Sequence, residues 1–93
     1  MIGRVANKVA MVTGGASGLG EATSLLLARE GARVAVADVA QEAGERLAER
    51  IRTEGGDAMF VPLDVSSESA WDAAMAQVQQ RCGKLNILVN NAG

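Results

Sequence analysis

Between Thr13 and Gly20 the chain reads TGGASGLG, four glycines in eight residues. Glycine carries no Cβ, so a turn rich in it folds tightly and lets the backbone approach a ligand closely. The segment lies between an aliphatic run, Val9–Thr13, and a stretch of good helix formers beginning at Gly18. N–H groups at the start of such a helix are free to bind an anion, so the chemistry of this turn is phosphate binding. Its spacing is Gly14-x-x-x-Gly18-x-Gly20, not the G-x-G-x-x-G of the common dinucleotide fingerprint. Gly15 and Gly20 also have the spacing of a Walker A loop, but Glu21-Ala22 stands where Lys and Ser or Thr must meet phosphate and magnesium. Glycines alone could also make a plain tight turn. The strand-to-helix setting favours phosphate.

Asp38 is the second candidate. It closes another aliphatic run, RVAVAD, and lies 24 positions after Gly14. An acid roughly 20 residues beyond a glycine loop can accept hydrogen bonds from the hydroxyls of an adenine ribose. The same charge repels a 2′-phosphate, and neither Ser17 nor Val39 is basic, so NAD is favoured over NADP. Arg33 begins the same run and belongs at its far end. Asp is also a common helix N-cap or turn residue, a job compatible with ribose binding.

The residue types that are missing narrow the chemistry further. There is no His and no Tyr, and the lysines are Lys8 and Lys84. These 93 residues therefore hold no imidazole base, no phenolic acid and no His-ligated metal. The single Cys82 makes neither an internal disulfide nor a Cys cluster, which fits a reducing compartment. A net charge of −2 argues against a nucleic-acid or anionic-membrane surface. The longest aliphatic runs, VAMV, LLLA and VAVA, fall far short of the about 20 residues of a spanning helix. Residues 1–7 are too few and too polar for an export signal, and a cytoplasmic protein is expected.

Alternating elements must position these groups. Val9–Thr13, Arg33–Asp38 and the runs at 58–63 and 85–89 suit buried parallel strands. Helices are predicted over 18–30, over 41–54, and from a cap at Ser66 or Ser67 to Cys82. Leu19, Ala22, Leu25, Leu26 and Ala28 cover much of the first helix. The second is amphipathic, with Ala43, Leu47 and Ile51 on one face and Glu42 placed to pair with Arg46. In the third, Trp71, Ala74, Met75, Val78 and Cys82 form one apolar stripe, read as packing against a sheet. Gly44 inside the second helix suggests a close approach to something. Pro62 near the end of the third strand suggests a sheet edge. The order β-α-β-α-β-α-β implies an α/β fold with a parallel sheet.

With TGGASGLG, Asp38, LDV at 63–65 and NNAG at 90–93 all in order, the chain resembles the short-chain dehydrogenase/reductase family over nearly its whole length. The resemblance implies part of a Rossmann-type doubly wound sheet with strand order 3-2-1-4, its crevice opening between the first and fourth strands. It implies that Gly14, Ser17, Gly18, Leu19 and Gly20 surround a pyrophosphate, and that Asp38 and Val39 meet the adenosine ribose. Asp64 would accept from the adenine amino group, beside the backbone of Val65. Asn91 and Ala92 would pass the ribose, while Asn90 braces the sheet. The implied reaction is hydride transfer between NAD(H) and a small alcohol or ketone, and complete members are commonly homo-oligomers. That chemistry uses a Tyr, a Lys four residues later, a Ser and a further Asn, none of which can be placed here. The expectation is that 1–93 is the dinucleotide-binding portion of a single domain without its catalytic part, inactive alone. A non-catalytic nucleotide sensor and an interaction module remain the other possibilities. The apolar fourth strand would then carry an uncovered edge, prone to pairing with another chain.

Overall fold

Strand β1 (Val9–Thr13) is apolar up to its final threonine, and all five of its residues are buried. A parallel strand covered on both faces requires that composition. The computed structural model of the chain describes residues 5–91. After β1 come α1 (Gly18–Arg29), β2 (Arg33–Asp38), α2 (Gln41–Thr53), β3 (Asp57–Pro62), α3 (Glu68–Cys82) and β4 (Ile87–Asn90). All strand pairs are parallel, in the order β3-β2-β1-β4. The expected α/β architecture and strand order are those of the molecule.

Alternation along the strands divides the core into two layers. Ala10, Val12, Val34 and Val36 meet Leu25 of α1 and Leu47 and Ile51 of α2 on one face. Val9, Met11, Ala35, Met59 and Val61 meet Ala74 and Val78 of α3 on the other, with Trp71, Met75 and Cys82 half-buried beside them. The apolar stripe of α3 is therefore packing, as its spacing predicts. Gly44 is where α2 rests on β3: a Cβ there would overlap the Phe60 ring.

Both sheet edges are informative. Pro62 ends β3, an outer strand, where a missing N–H breaks no rung of the ladder. At the other edge β4 pairs, among the described residues, with β1 alone, and Leu88 is 47% exposed. β4 starts at Ile87, later than the aliphatic run suggests, because Asn86 joins β1 partly through its side chain. Its Oδ1 accepts from the Val9 N–H at 2.9 Å, and its own N–H donates to the Val9 carbonyl at 2.9 Å.

One local expectation fails. Glu42 and Arg46 form no ion pair. Arg50 instead reaches Glu54 at 3.2 Å and Arg52 reaches Glu49 at 2.9 Å. Glu54 at the end of α2 also lies 3.5 Å from Arg29 of α1, and the Arg50 hydrogen bond holds its carboxyl below the ordinary glutamate range. In α1, Leu25 is buried, but Ala22, Leu19 and Leu26 are exposed, because the sheet covers only one side of this helix.

Candidate dinucleotide site

The strands end together in register. Thr13 lies opposite Asn90, and Asp38 opposite Pro62. From β1 the chain crosses to β2 on one side, whereas β4 lies on the other, so strand order reverses at β1. Gly14 and Asn91 leave the sheet side by side at that point. A crevice beyond the carboxyl ends of the strands is where such sheets bind ligands.

The glycine loop fills one wall. Gly14 and Gly18 adopt φ of 61° and 53°, left-handed values that L side chains rarely tolerate. Gly20 serves a different need: a Cβ there would overlap the Gly14 carbonyl and lie 2.9 Å from Asn91 Nδ2. Its absence lets α1 press onto the loop and onto Asn91. Ser17 occupies the N-cap position, but its side chain makes no capping bond. Its carbonyl accepts from the N–H groups of Gly20 and Glu21 at 3.1 and 3.3 Å. The N–H groups of Ser17, Gly18 and Leu19 bond to nothing among the described residues. Unpaired donors at the positive end of a helix dipole favour an anion beside them.

Asp38 faces this loop from the end of β2. Its Oδ2 accepts from the Ala16 N–H at 3.1 Å and its Oδ1 from the Ala40 N–H at 3.0 Å. The turn role expected of it is thus met by bonds to the segments on either side. Val39, next along, is 72% exposed.

One strand further out, Asp64 Oδ1 accepts from Ser66 Oγ at 2.6 Å and from the Ser66 N–H at 3.0 Å. The Ser66 hydroxyl, and then the Ser66 N–H, lower its pKa, so the carboxyl is ionised at neutral pH. Ser67, not Ser66, caps α3, its Oγ accepting from the Ala70 N–H at 3.2 Å. Val65 is held from α3, where the Trp71 Nε1–H donates to its carbonyl at 2.9 Å. Sequence spacing marks Trp71 as core and gives no sign of this second task.

Thr13 is also absent from the sequence-based candidates. Its Oγ1 lies 3.0 Å from Asn90 Oδ1, and the Asn91 N–H donates to it at 2.9 Å. Asn90 thereby ties β4 to β1, the bracing expected of it, and Asn91 is fixed at the crevice. Ala92 lies outside the described residues. Among the described residues, Leu19, Val39 and Val65 are three of the five large apolar residues that stay exposed, and all three rim the carboxyl end of the sheet. Exposed apolar side chains around unpaired N–H donors and two carboxylates fit an adenine dinucleotide. No group of His, Cys, Asp or Glu among the described residues is arranged to hold a metal ion.

The sequence pattern that defines the short chain dehydrogenases matches residues 8–93. The chain belongs to that family. It is 53% identical over its whole length to a 3-beta-hydroxysteroid dehydrogenase of Comamonas testosteroni, of which it covers 35%. A cyclopentanol dehydrogenase of a Comamonas strain is 46% identical across 99% of this chain and 37% of its own. A crystal structure of a hydroxysteroid dehydrogenase from Escherichia coli superposes with a TM-score of 0.94 at 34% identity, over 97% of this chain and 38% of that one. The chain thus spans a little over a third of the length of these short-chain dehydrogenases. Dehydrogenases of the family generally use nicotinamide cofactors.

Proposed function

We propose that this chain supplies the cofactor-binding part of an oxidoreductase that moves a hydride between NAD(H) and a small secondary alcohol or its ketone. The observation that carries the proposal is the uncapped start of α1, three free N–H groups beside Asp38 at the point where strand order reverses. Ser17, Gly18 and Leu19 would hold the pyrophosphate through those donors, with Gly14 and Gly20 giving the backbone room. Asp38 and Val39 would take the adenosine ribose, Asp64 and Val65 the adenine, and Asn91 and Ala92 the path beside the ribose. When bound, the nicotinamide ring supplies the hydride donor or acceptor. Relatives named for a hydroxysteroid and for cyclopentanol support a ring alcohol as substrate. With no Tyr, residues 1–93 would bind without turning over, and would need the Tyr, Lys, Ser and Asn that the family's chemistry employs. Among the described residues no helix is long and apolar enough to cross a membrane. A cytoplasmic homo-oligomer is part of the same proposal.

NAD is the preferred form. Asp38 keeps acceptor capacity for ribose hydroxyls, and its charge opposes a 2′-phosphate. The test is an NMR titration of the chain with NAD+ and NADP+. The amides of Ser17, Gly18 and Leu19 should move, with NAD+ bound about a hundredfold more tightly. Equal affinities would remove the Asp38 assignment, and unmoved amides would remove the site.

A further inference from the structure

We infer that Asp38 is a positioning residue for the glycine loop, so that recognition of the ribose and of the pyrophosphate is coupled through one carboxylate. This deepens the NAD proposal and rests on it for its ligand. The β1–β2 ladder ends with Thr13 opposite Ala37. It continues one rung further, as the Gly15 N–H donates to the Ala37 carbonyl at 3.2 Å. At the next position the backbone has turned away, and the Asp38 side chain replaces it by accepting the Ala16 N–H. Ala16 is 6% exposed, so without Asp38 its N–H would be buried and unpaired. The next three residues are those whose N–H groups are free. Their orientation therefore hangs from an anchor that the carboxylate provides.

Asp38 also fixes the neighbouring loops. Its Oδ1 holds the Ala40 N–H, and its carbonyl accepts the Leu63 N–H at 3.1 Å, just before Asp64. An ionised carboxylate offers about four lone-pair sites, so two backbone bonds leave capacity for ribose hydroxyls. One residue can then hold the loop and contact the ligand at once. A single substitution made to admit a 2′-phosphate would accordingly weaken the grip on the pyrophosphate that both cofactor forms share.

The test compares ADP with 2′,3′-dideoxy-ADP, which has no ribose hydroxyl for Asp38 to contact, in the wild type, Asp38→Ala and Asp38→Asn. A residue that touches only ribose would leave dideoxy-ADP affinity unchanged on substitution. Coupling lowers it about tenfold in Asp38→Ala, with a smaller loss in Asp38→Asn, which retains one acceptor oxygen. Amide exchange supplies the second readout: Ala16 should exchange about tenfold faster in Asp38→Ala while Val12 and Val36 stay protected. If Asp38→Ala does not fold, Asp38→Asn carries both readouts. Unchanged dideoxy-ADP affinity in a chain that binds ADP, or unchanged Ala16 exchange, overturns the inference. A wild type that binds neither nucleotide defeats the NAD proposal instead, and Ala16 exchange then decides the anchor alone.

Discussion

Helices α1 and α3 begin at the same end of the sheet, and each has a serine in extended backbone just before it, Ser17 at φ −144° and Ser67 at φ −109°. Ser67 caps its helix through its side chain; Ser17 does not. The difference lies in what precedes them. Before α3, Asp64 and Ser66 close a turn on themselves and leave Ser67 aimed at Ala70. Before α1, the Ser17 hydroxyl takes up none of the donors, and the helix start is held by contact of Gly20 with Gly14 and Asn91. One helix end is completed within the protein. The other is fixed in place by packing while its N–H groups stay open, which is what a ligand site needs.

The strongest way to break this contrast is Gly20→Ala. The added methyl has to displace the Gly14 carbonyl, and we expect a loss of about 3 kcal/mol together with nucleotide binding. Gly18→Ala is the control in the same loop. Its Cβ would meet open space, so only the left-handed φ costs stability, about 1 kcal/mol. Chemical denaturation of both variants measures the gap; equal losses would mean that the close approach of α1 is not what holds the loop.

Next in size is the pair of serines. Ser67→Ala should cost about 1 kcal/mol, the usual value of an N-cap, whereas Ser17→Ala should leave stability within about 0.3 kcal/mol of wild type. Thermal melts of the two variants compare the helix starts directly. A Ser17→Ala loss as large as that of Ser67→Ala would show that α1 is capped in solution.

The smallest effect concerns protons. Because Ser66 hydrogen bonds lower the Asp64 pKa, the ordering of residues 64–67 is complete above the unfolded aspartate value of about 3.9 and is lost as pH falls through the lower folded value. In Ser66→Ala the Asp64 midpoint, followed by carboxyl NMR shifts, should rise toward the ordinary value while the backbone bond keeps part of the depression. An unmoved midpoint would mean that the Ser66 hydroxyl does not hold the carboxylate.

How far the sequence could be read depended on the distance over which each relationship acts. The strands, the helix ends and the glycine loop were legible because their causes are local: apolar runs, a cap, a backbone that needs φ > 0. Pro62 disclosed an edge strand for the same reason. The Asp38 bond to Ala16 spans 22 positions and the Thr13 bond to Asn91 spans 78, and no periodicity encodes either partner. Trp71 was legible as core because its spacing is helical, but its indole N–H finds Val65 only once α3 lies against the sheet. The Glu42–Arg46 pair failed because surface arginines choose among several acids, and helix spacing ranks those choices weakly.

By itself, then, the sequence determined which segments form strands and helices, that the first turn is rich in glycine and leads into a helix, and that an acid closes the second strand. Those properties follow from side-chain size, charge and local backbone freedom. Only the tertiary structure decided which donors stay open and which acid anchors them. Register and helix packing bring residues from distant parts of the chain within hydrogen-bonding distance of one another, and a hydrogen bond exists only where that distance is met.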